Sequence, residues 1–220
     1  MDKQMKKLVI LGGSGIGMIA ASIARENGEY EVVGFLNDYV EVGSKIGKYD
    51  KIEVIGKTAD IQHYLDNGYY FFIAYVGLKK EKNTFEKIDK FNIPMDRYVN
   101  LIHKTAHIPK GFCKIGNGVL MAPYSQLSPD TTVGDNCMLL ANSFLGHDST
   151  MLRFAHLATN SVVGANVVVG RGVHVGSNST IREKVTIGDF SLIGMGAVVL
   201  KDVEVNTKVI GNPAKELRNN

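Results

Sequence analysis

Hydrophobic and polar positions follow two different rhythms along the chain. Over the first hundred residues, apolar strand-like runs alternate with helix-like stretches. Lys7 to Leu11 reads as a buried strand, followed by a glycine-rich turn and a helix over Met18 to Glu26. Glu31 to Leu36 reads as a second strand and Val54-Ile55 as a short third. Thr58 is placed to cap a helix running to about Asp66, which Gly68 closes. Tyr69 to Val76 forms an apolar strand, Lys80 to Phe91 an amphipathic helix broken by Pro94, and Tyr98 to Ile102 a last strand. Strands alternating with helices predict a parallel sheet covered by helices, a small α/β Rossmann-like domain over residues 1–102.

Beyond Ile102 the helical period disappears. From Ile115 to Val205 an aliphatic residue or methionine recurs at every sixth position, sixteen times without an insertion. Four residues after each comes a small or β-branched residue, such as Ser125, Thr131, Cys137, Ser143, Ala155 or Val167. Glycine follows the apolar position in eight of the sixteen units. Such a period predicts a parallel β-helix over residues 103–220, with three units per coil and coils stacked ~4.8 Å apart. Large and small residues two apart both point inward, as strand alternation requires.

Composition narrows the function. The chain has 220 residues, 45% of them hydrophobic and 21% charged, with a formal charge of +3. That charge is small and evenly spread, which argues against a nucleic-acid partner. No apolar run reaches the roughly 20 residues of a membrane span, and the apolar stretch after Lys7 is too short for a signal peptide. Cys113 and Cys137 make neither a metal pattern nor a disulfide framework, so a reduced, cytoplasmic protein is expected.

The repeat carries three histidines: His147, His156 and His174. In this register the apolar residue ends a flat side and the next three residues make a corner. His147 therefore sits on a corner beside Asp148. His156 and His174 each precede an aliphatic residue and lie on the outside of a flat side, one coil apart. Three converging histidines would be needed for a metal, and His147 lies on a different side from the other two, so no metal is expected.

The repeats resemble the hexapeptide-repeat transferases, whose coils wind as a left-handed triangular prism. More narrowly, the chain resembles the sialic acid O-acetyltransferase and UDP-4-amino-sugar N-acetyltransferase family over nearly its full length. The landmarks are Leu11-Gly-Gly-Ser-Gly-Ile-Gly17, Phe35-Leu-Asn-Asp38, Phe71-Phe-Ile-Ala74, Asn100-Leu-Ile-His103, Gly146-His-Asp148 and Val209-Ile-Gly-Asn-Pro-Ala-Lys215. The resemblance implies an acetyl-CoA-dependent enzyme that N-acetylates an amino sugar-nucleotide for surface glycan synthesis. O-acetylation of a sialic acid or another sugar is the alternative, and a catalytically silent trimeric scaffold is the alternative of a different class.

Carried onto this sequence, the family pattern makes His147 the catalytic base and Asp148 its acidic partner, the carboxylate orienting the imidazole. His156 matches a second histidine near the thioester end of CoA. Gly164, Ala165, Ser177, Gly194 and Met195 match positions along the pantetheine arm, and Gly211, Pro213 and Lys215 the adenine end. Lys201 and Lys208 join Lys215 as candidate phosphate cations. In the N-terminal domain Gly13, Gly15, Ile16, Asn37, Asp38 and Gly77 would hold the nucleotide, backbone amides at the helix start suiting its phosphates. The glycine run is not the complete dinucleotide fingerprint, because Met18 takes its third glycine position. Family members often carry a histidine where this chain has Ile16 and an acidic pair where it has Asn37-Asp38, so the acceptor is an open question. The register places the His147 corner opposite the side bearing His156; if both serve one site they come from different subunits, and a homotrimer with sites in the grooves between prisms is expected.

Overall fold

The computed structural model describes residues 5–74 and 81–217, and side chains outside 81–84. Two compact units divide the chain, Met1–Leu101 and Ile102–Asn220.

The first unit is built on strands β1 (Lys6–Leu11), β2 (Tyr30–Leu36), β3 (Lys45–Ile46), β4 (Ile52–Gly56) and β5 (Tyr70–Ile73). Its helices are α1 (Ile16–Asn27), α2 (Ile61–Asp66) and α3 (Glu81–Asp89). The sheet runs β3-β4-β2-β1-β5, parallel except where β3 meets β4. The two-residue β3 is absent from the sequence reading and makes the sheet mixed rather than purely parallel. Leu8 to Leu11, Phe71 and Phe72 are fully buried, each contributing ~1.5–3 kcal/mol by leaving water. A run that is apolar at every position is the mark of a strand covered on both faces. Helix α1 ends where Gly28 turns left-handed at φ 70° and donates its N–H to Ala24, a conformation open to glycine without strain.

Thr58 does not cap an α-helix. It opens a short 3₁₀ turn, Thr58–Asp60, whose backbone is instead tied by Asp60 Oδ2 accepting from the Lys57 amide at 2.8 Å. The end of the apolar strand expected at Val76, the helix start at Lys80 and the candidate Gly77 lie outside the described residues.

The second unit is a parallel β-helix of two-residue strands on three faces. Face one stacks Lys114–Ile115, Thr132–Val133, Thr150–Met151, Val168–Val169 and Thr186–Ile187. Face two includes Leu120–Met121, Met138–Leu139, His156–Leu157, His174–Val175 and Leu192–Ile193. Face three stacks Gln126–Leu127, Phe144–Leu145, Val162–Val163, Thr180–Ile181 and Val198–Val199. Strand neighbours are eighteen residues apart, for example Leu145 beside Val163.

Both inward positions are sealed. Leu127, Leu139, Leu145, Met151, Leu157 and Val163 are buried, and so are Ser125, Cys137, Ser143, Ala155 and Ser161 between them. The buried serines stay satisfied by bonding back into their own turn, as Ser143 Oγ donates to Leu140 O at 2.7 Å and Ser161 Oγ to Ala158 O at 2.7 Å. The third residue of most turns is left-handed and commonly Asn or Asp, such as Asn142 (φ 58°), Asn160 (φ 59°) and Asn166 (φ 57°). These residue types tolerate that conformation because a short polar side chain bonds locally.

One part of the register departs from the sequence reading. Val205 is 55% exposed, whereas Val203 and Val209 are buried. Val203 pairs with Ile187 and Val209 with Ile193, sixteen residues apart instead of eighteen. The last coil is therefore two residues short and skips Val205. An antiparallel strand, Lys215–Glu216, then closes face two against Val209 and Ile210.

Candidate active site

His147 and Asp148 lie on the corner between faces three and one. His147 Nδ1 is 2.6 Å from Asp148 Oδ2, and since a carboxylate only accepts, Nδ1–H is the donor. In the neutral ring this tautomer leaves the Nε2 lone pair available, which is the requirement for a base. Both side chains are more than half exposed. The corner is held close to its neighbour: a Cβ on Gly146 would meet the Gly164 backbone at 2.6 Å. Asn166 N donates to His147 O at 2.9 Å and Ser149 Oγ to Gly164 O at 3.0 Å, fixing the histidine's backbone on the coil beyond. Gly164 and Ala165 thus share the His147 corner.

His156 and His174 stand on the outside of face two. They are strand partners, with ring centroids 4.7 Å apart, an interplanar angle of 76° and Nδ1 atoms 3.1 Å apart. Burial, with a smaller contribution from neighbouring His174, pushes the His156 imidazole down to about 3. Burial lowers His174 as well. His156 Nε2 is shut off from solvent without a hydrogen-bond partner. By its place in the repeat His174 is expected on the surface and stacked on His156; the stacking is observed, and the contact between the two Nδ1 atoms is added to it. Ser177, Gly194 and Met195 fall on the corner that follows face two, with Met195 81% exposed. Face three separates this corner from that of His147.

The C-terminal candidates gather at the end of the helix. Pro213, Lys215 and Lys201 line a groove of about 490 Å³ with Val199, Leu200 and Thr207. Asp202, Glu204 and Glu216 line it too. Lys208 and Gly211 are outside that lining.

In the first unit a pocket of about 300 Å³ opens at the carboxyl ends of the parallel strands, the usual place for a ligand in such a sheet. Gly12, Gly13 and Ser14 follow β1, Leu36 to Tyr39 end and follow β2, Thr58 follows β4 and Ala74 follows β5. Gly13 lies close to its neighbours: a Cβ there would meet the Ile46 terminal methyl at 2.6 Å and the Phe35 ring at 3.0 Å. Gly15, at φ 48°, and Ile16 start α1 beside this lining but outside it.

Asp38 is not a free carboxylate. It accepts from the Thr58 amide at 2.8 Å, the Thr58 hydroxyl at 3.0 Å and Lys87 Nζ at 2.5 Å. Burial works to raise its carboxyl, but the Lys87 and Thr58 hydrogen bonds prevail and hold it below the ordinary range. Asn37 Oδ1 accepts from the Tyr39 and Val40 amides at 2.9 and 3.2 Å, setting the loop that presents the 93% exposed Tyr39 ring. Thr58, Lys87 and Tyr39 are lining residues that sequence reasoning missed.

Two family models match, one in each unit. Residues 7–88 match the PglD N-terminal domain, and residues 131–171, 159–183 and 167–201 match the hexapeptide repeat of succinyl-transferase. The first unit is thus similar to the PglD N-terminal domain and the second to hexapeptide repeats. No curated protein sequence matches it significantly. Among solved structures, the acetyltransferase domain of PglB from Neisseria gonorrhoeae in complex with acetyl coenzyme A is 23% identical, with TM-score 0.83 over 97% of this chain and 100% of that one. PerB from Caulobacter crescentus in complex with CoA and GDP-perosamine is 23% identical, with TM-score 0.80 over 96% of this chain and 97% of that one. WeeI from Acinetobacter baumannii is 18% identical, with TM-score 0.69 over 97% of this chain and 100% of that one. These likenesses show the fold of this chain, an α/β Rossmann-like domain followed by a parallel β-helix of hexapeptide repeats.

Proposed function

We propose that the protein transfers an acetyl group from acetyl-CoA to the amine of an amino sugar-nucleotide, a step in surface glycan synthesis. The observation that carries this reading is the His147–Asp148 pair on a hexapeptide corner, 2.6 Å apart, with Nε2 left as acceptor. Supporting it, a protein of the same two-domain fold binds CoA and GDP-perosamine together.

In this mechanism His147 Nε2 takes a proton from the acceptor amine as the nitrogen attacks the thioester carbonyl. Asp148 holds the ring and stabilises the imidazolium that forms. Donors around the carbonyl stabilise the oxyanion, and collapse of the intermediate expels the CoA thiolate, which takes the proton back from the His147 imidazolium and returns the base to its neutral form. The PglD N-terminal domain would hold the nucleotide in the pocket between Gly13 and Asp38, with Lys87 and the α1 amides near its phosphates. Pantetheine would run past Gly164 and Ala165 on one side and Ser177 and Gly194 on the other, with Lys201 and Lys215 near its phosphates.

Those two CoA-lining groups occupy different corners of one prism. We place them in one site by assembling a homotrimer, each groove taking the His147 corner of one subunit and the His156 face of the next. The free thiols Cys113 and Cys137 and the use of acetyl-CoA suit a cytoplasmic location. Among the described residues no helix is long and apolar enough to cross a membrane. Incubation with acetyl-CoA and an amino sugar-nucleotide should give a product whose acetyl group resists mild base, as an amide does. A base-labile acetyl group would mean O-transfer, and an unmodified sugar would count against the reading.

A further inference from the structure

We propose that Tyr39 is the surface on which the base of the sugar-nucleotide stacks, and that its loop is fixed so as to hold the ring out for it. The assignment rests on the reading that this pocket takes the nucleotide of the acceptor.

The loop is tied on both sides of Tyr39. Asn37 N donates to Gly56 O at 3.0 Å, and Asn37 Oδ1 accepts from the Tyr39 and Val40 amides. Lys57 Nζ donates to Val40 O at 2.6 Å. Asp38 accepts from the Thr58 amide, the Thr58 hydroxyl and Lys87 Nζ. None of these bonds involves the Tyr39 ring. The ring is 93% exposed, so it adds almost nothing to the core, while the backbone beneath it is held in one conformation. A group presented on a fixed loop loses little conformational freedom when a ligand meets it.

Position decides what the ring can meet. The pocket of about 300 Å³ includes the glycine turn after β1 and the loop after β2, with Tyr39 in its lining. In a parallel sheet of this kind a nucleotide lies with its phosphates at the turn after the first strand and its ribose and base toward the end of the second. Tyr39, one residue beyond Asp38, therefore stands at the base end.

The electrostatics of that end suit an uncharged, flat group. Its charged lining residues, Asp38 and Lys87, are paired with each other. Both Asp38 oxygens already accept hydrogen bonds within the chain, so the carboxylate cannot take a pair of base N–H groups without giving up Thr58 or Lys87. The face of Tyr39 is a binding surface that costs the loop nothing. Stacking is tolerant of the base, because every base has a π-face. Tyr39 thus separates a nucleotide-linked amino sugar from the same sugar carrying only a phosphate, more than it separates one base from another. Lys87 Nζ, 6.0 Å from the ring centroid, stays beside the base on the ribose-phosphate side.

Calorimetric titration of the full chain with UDP, dTDP and GDP in turn tests the assignment without turnover. The tightest of the three should bind Tyr39→Ala ~5–100-fold more weakly than wild type, the size of one stacked base. Tyr39→Phe, which keeps the ring, should recover most of that loss, and Tyr39→Leu, apolar but not aromatic, should not. The thermal midpoint of Tyr39→Ala should match wild type, since the ring packs against so little. In turnover Tyr39→Ala should raise the KM for an amino sugar-nucleotide by the same factor, and leave the KM for the amino sugar 1-phosphate and for acetyl-CoA where they were. Equal affinity in wild type and Tyr39→Ala, full recovery by leucine, or no binding of any of the three diphosphates overturns the proposal. If acetyl transfer alone is wrong, no acceptor is modified while the loss in Tyr39→Ala and its recovery in Tyr39→Phe still appear in the titrations. If only the role of Tyr39 is wrong, wild type and Tyr39→Ala acetylate the sugar-nucleotide with the same KM.

Discussion

His147 Nδ1 lies 2.6 Å from an oxygen of Asp148, whose own backbone holds the left-handed turn of that coil at φ 57°. Asp148 therefore serves two purposes. The turn alone asks only for a residue at ease in the left-handed region, and Asn142 and Asn166 fill the equivalent place on adjoining turns. What the turn does not require is the negative charge, and that is the part His147 uses.

Asp148→Asn should separate the two purposes. The turn is retained, so the thermal midpoint should stay within a degree or two of wild type. The amide cannot stabilise the imidazolium, so kcat should fall by ~10²–10⁴-fold. Asp148→Ala should lose the same activity and also ~1–2 kcal/mol of stability, because alanine is strained at positive φ. Calorimetric melting and steady-state kinetics of the two variants check this.

Subunit sharing has its own test. His147→Ala and His156→Ala should each be nearly inactive as pure proteins. Unfolded together and refolded as a mixture, they should recover activity, because some grooves will draw an intact His147 and an intact His156 from different chains. Mixed assemblies, confirmed by differently tagged subunits, that remain inactive would argue for sites contained within one chain.

The depressed His156 imidazole gives a pH dependence with a definite sign. Its folded-state value of about 3 lies below the ~6.5 of an unfolded histidine. On acidification the unfolded chain takes the proton first, so the folded state is disfavoured as pH falls. The stability contribution is complete above ~6.5 and is lost progressively down to about 3, at up to ~1.4 kcal/mol per pH unit. His156→Asn, with no group to titrate, should show a shallower decline over that range in denaturant melts.

Asp38 joins β2 to Thr58 and to Lys87 on α3. Asp38→Ala would leave the Thr58 amide without its acceptor, which costs ~1–3 kcal/mol if the amide stays shielded. It should also raise the acceptor KM with little effect on the acetyl-CoA KM. Lys87→Met should raise the acceptor KM while leaving the fold intact. Equal effects on both substrates would remove this pocket from acceptor binding.

Most of the hexapeptide helix is legible in the sequence because its interior repeats. Large and small inward residues two apart, held in a strict period of six, are enough to state the coil from the residues alone. The last coil is the exception: valine stands at 203, 205 and 209, and a period of six selects 205. The pairings of Val203 with Ile187 and of Val209 with Ile193 show that the coil shortens there. In the first unit the strands are readable from their apolar runs, but the pocket's wiring is not. Thr58 looks like a helix cap because local rules see only its neighbours, whereas its actual partner, Asp38, lies 20 residues back. Lys87 reaches the same carboxylate from 49 residues away. The spacing of His156 and His174 announces their stacking, while the Nδ1 contact and the sealed Nε2 depend on ring orientation that no spacing encodes.

Thiol release from acetyl-CoA, measured across a panel of amino sugar-nucleotides, bears most directly on the central claim. The expected result is CoA release that requires an amino sugar-nucleotide, saturates with it, and falls by at least ~10²-fold in His147→Ala. No thiol release with any acceptor, together with no CoA binding by calorimetry, would contradict an acetyltransferase and leave a trimeric scaffold in its place.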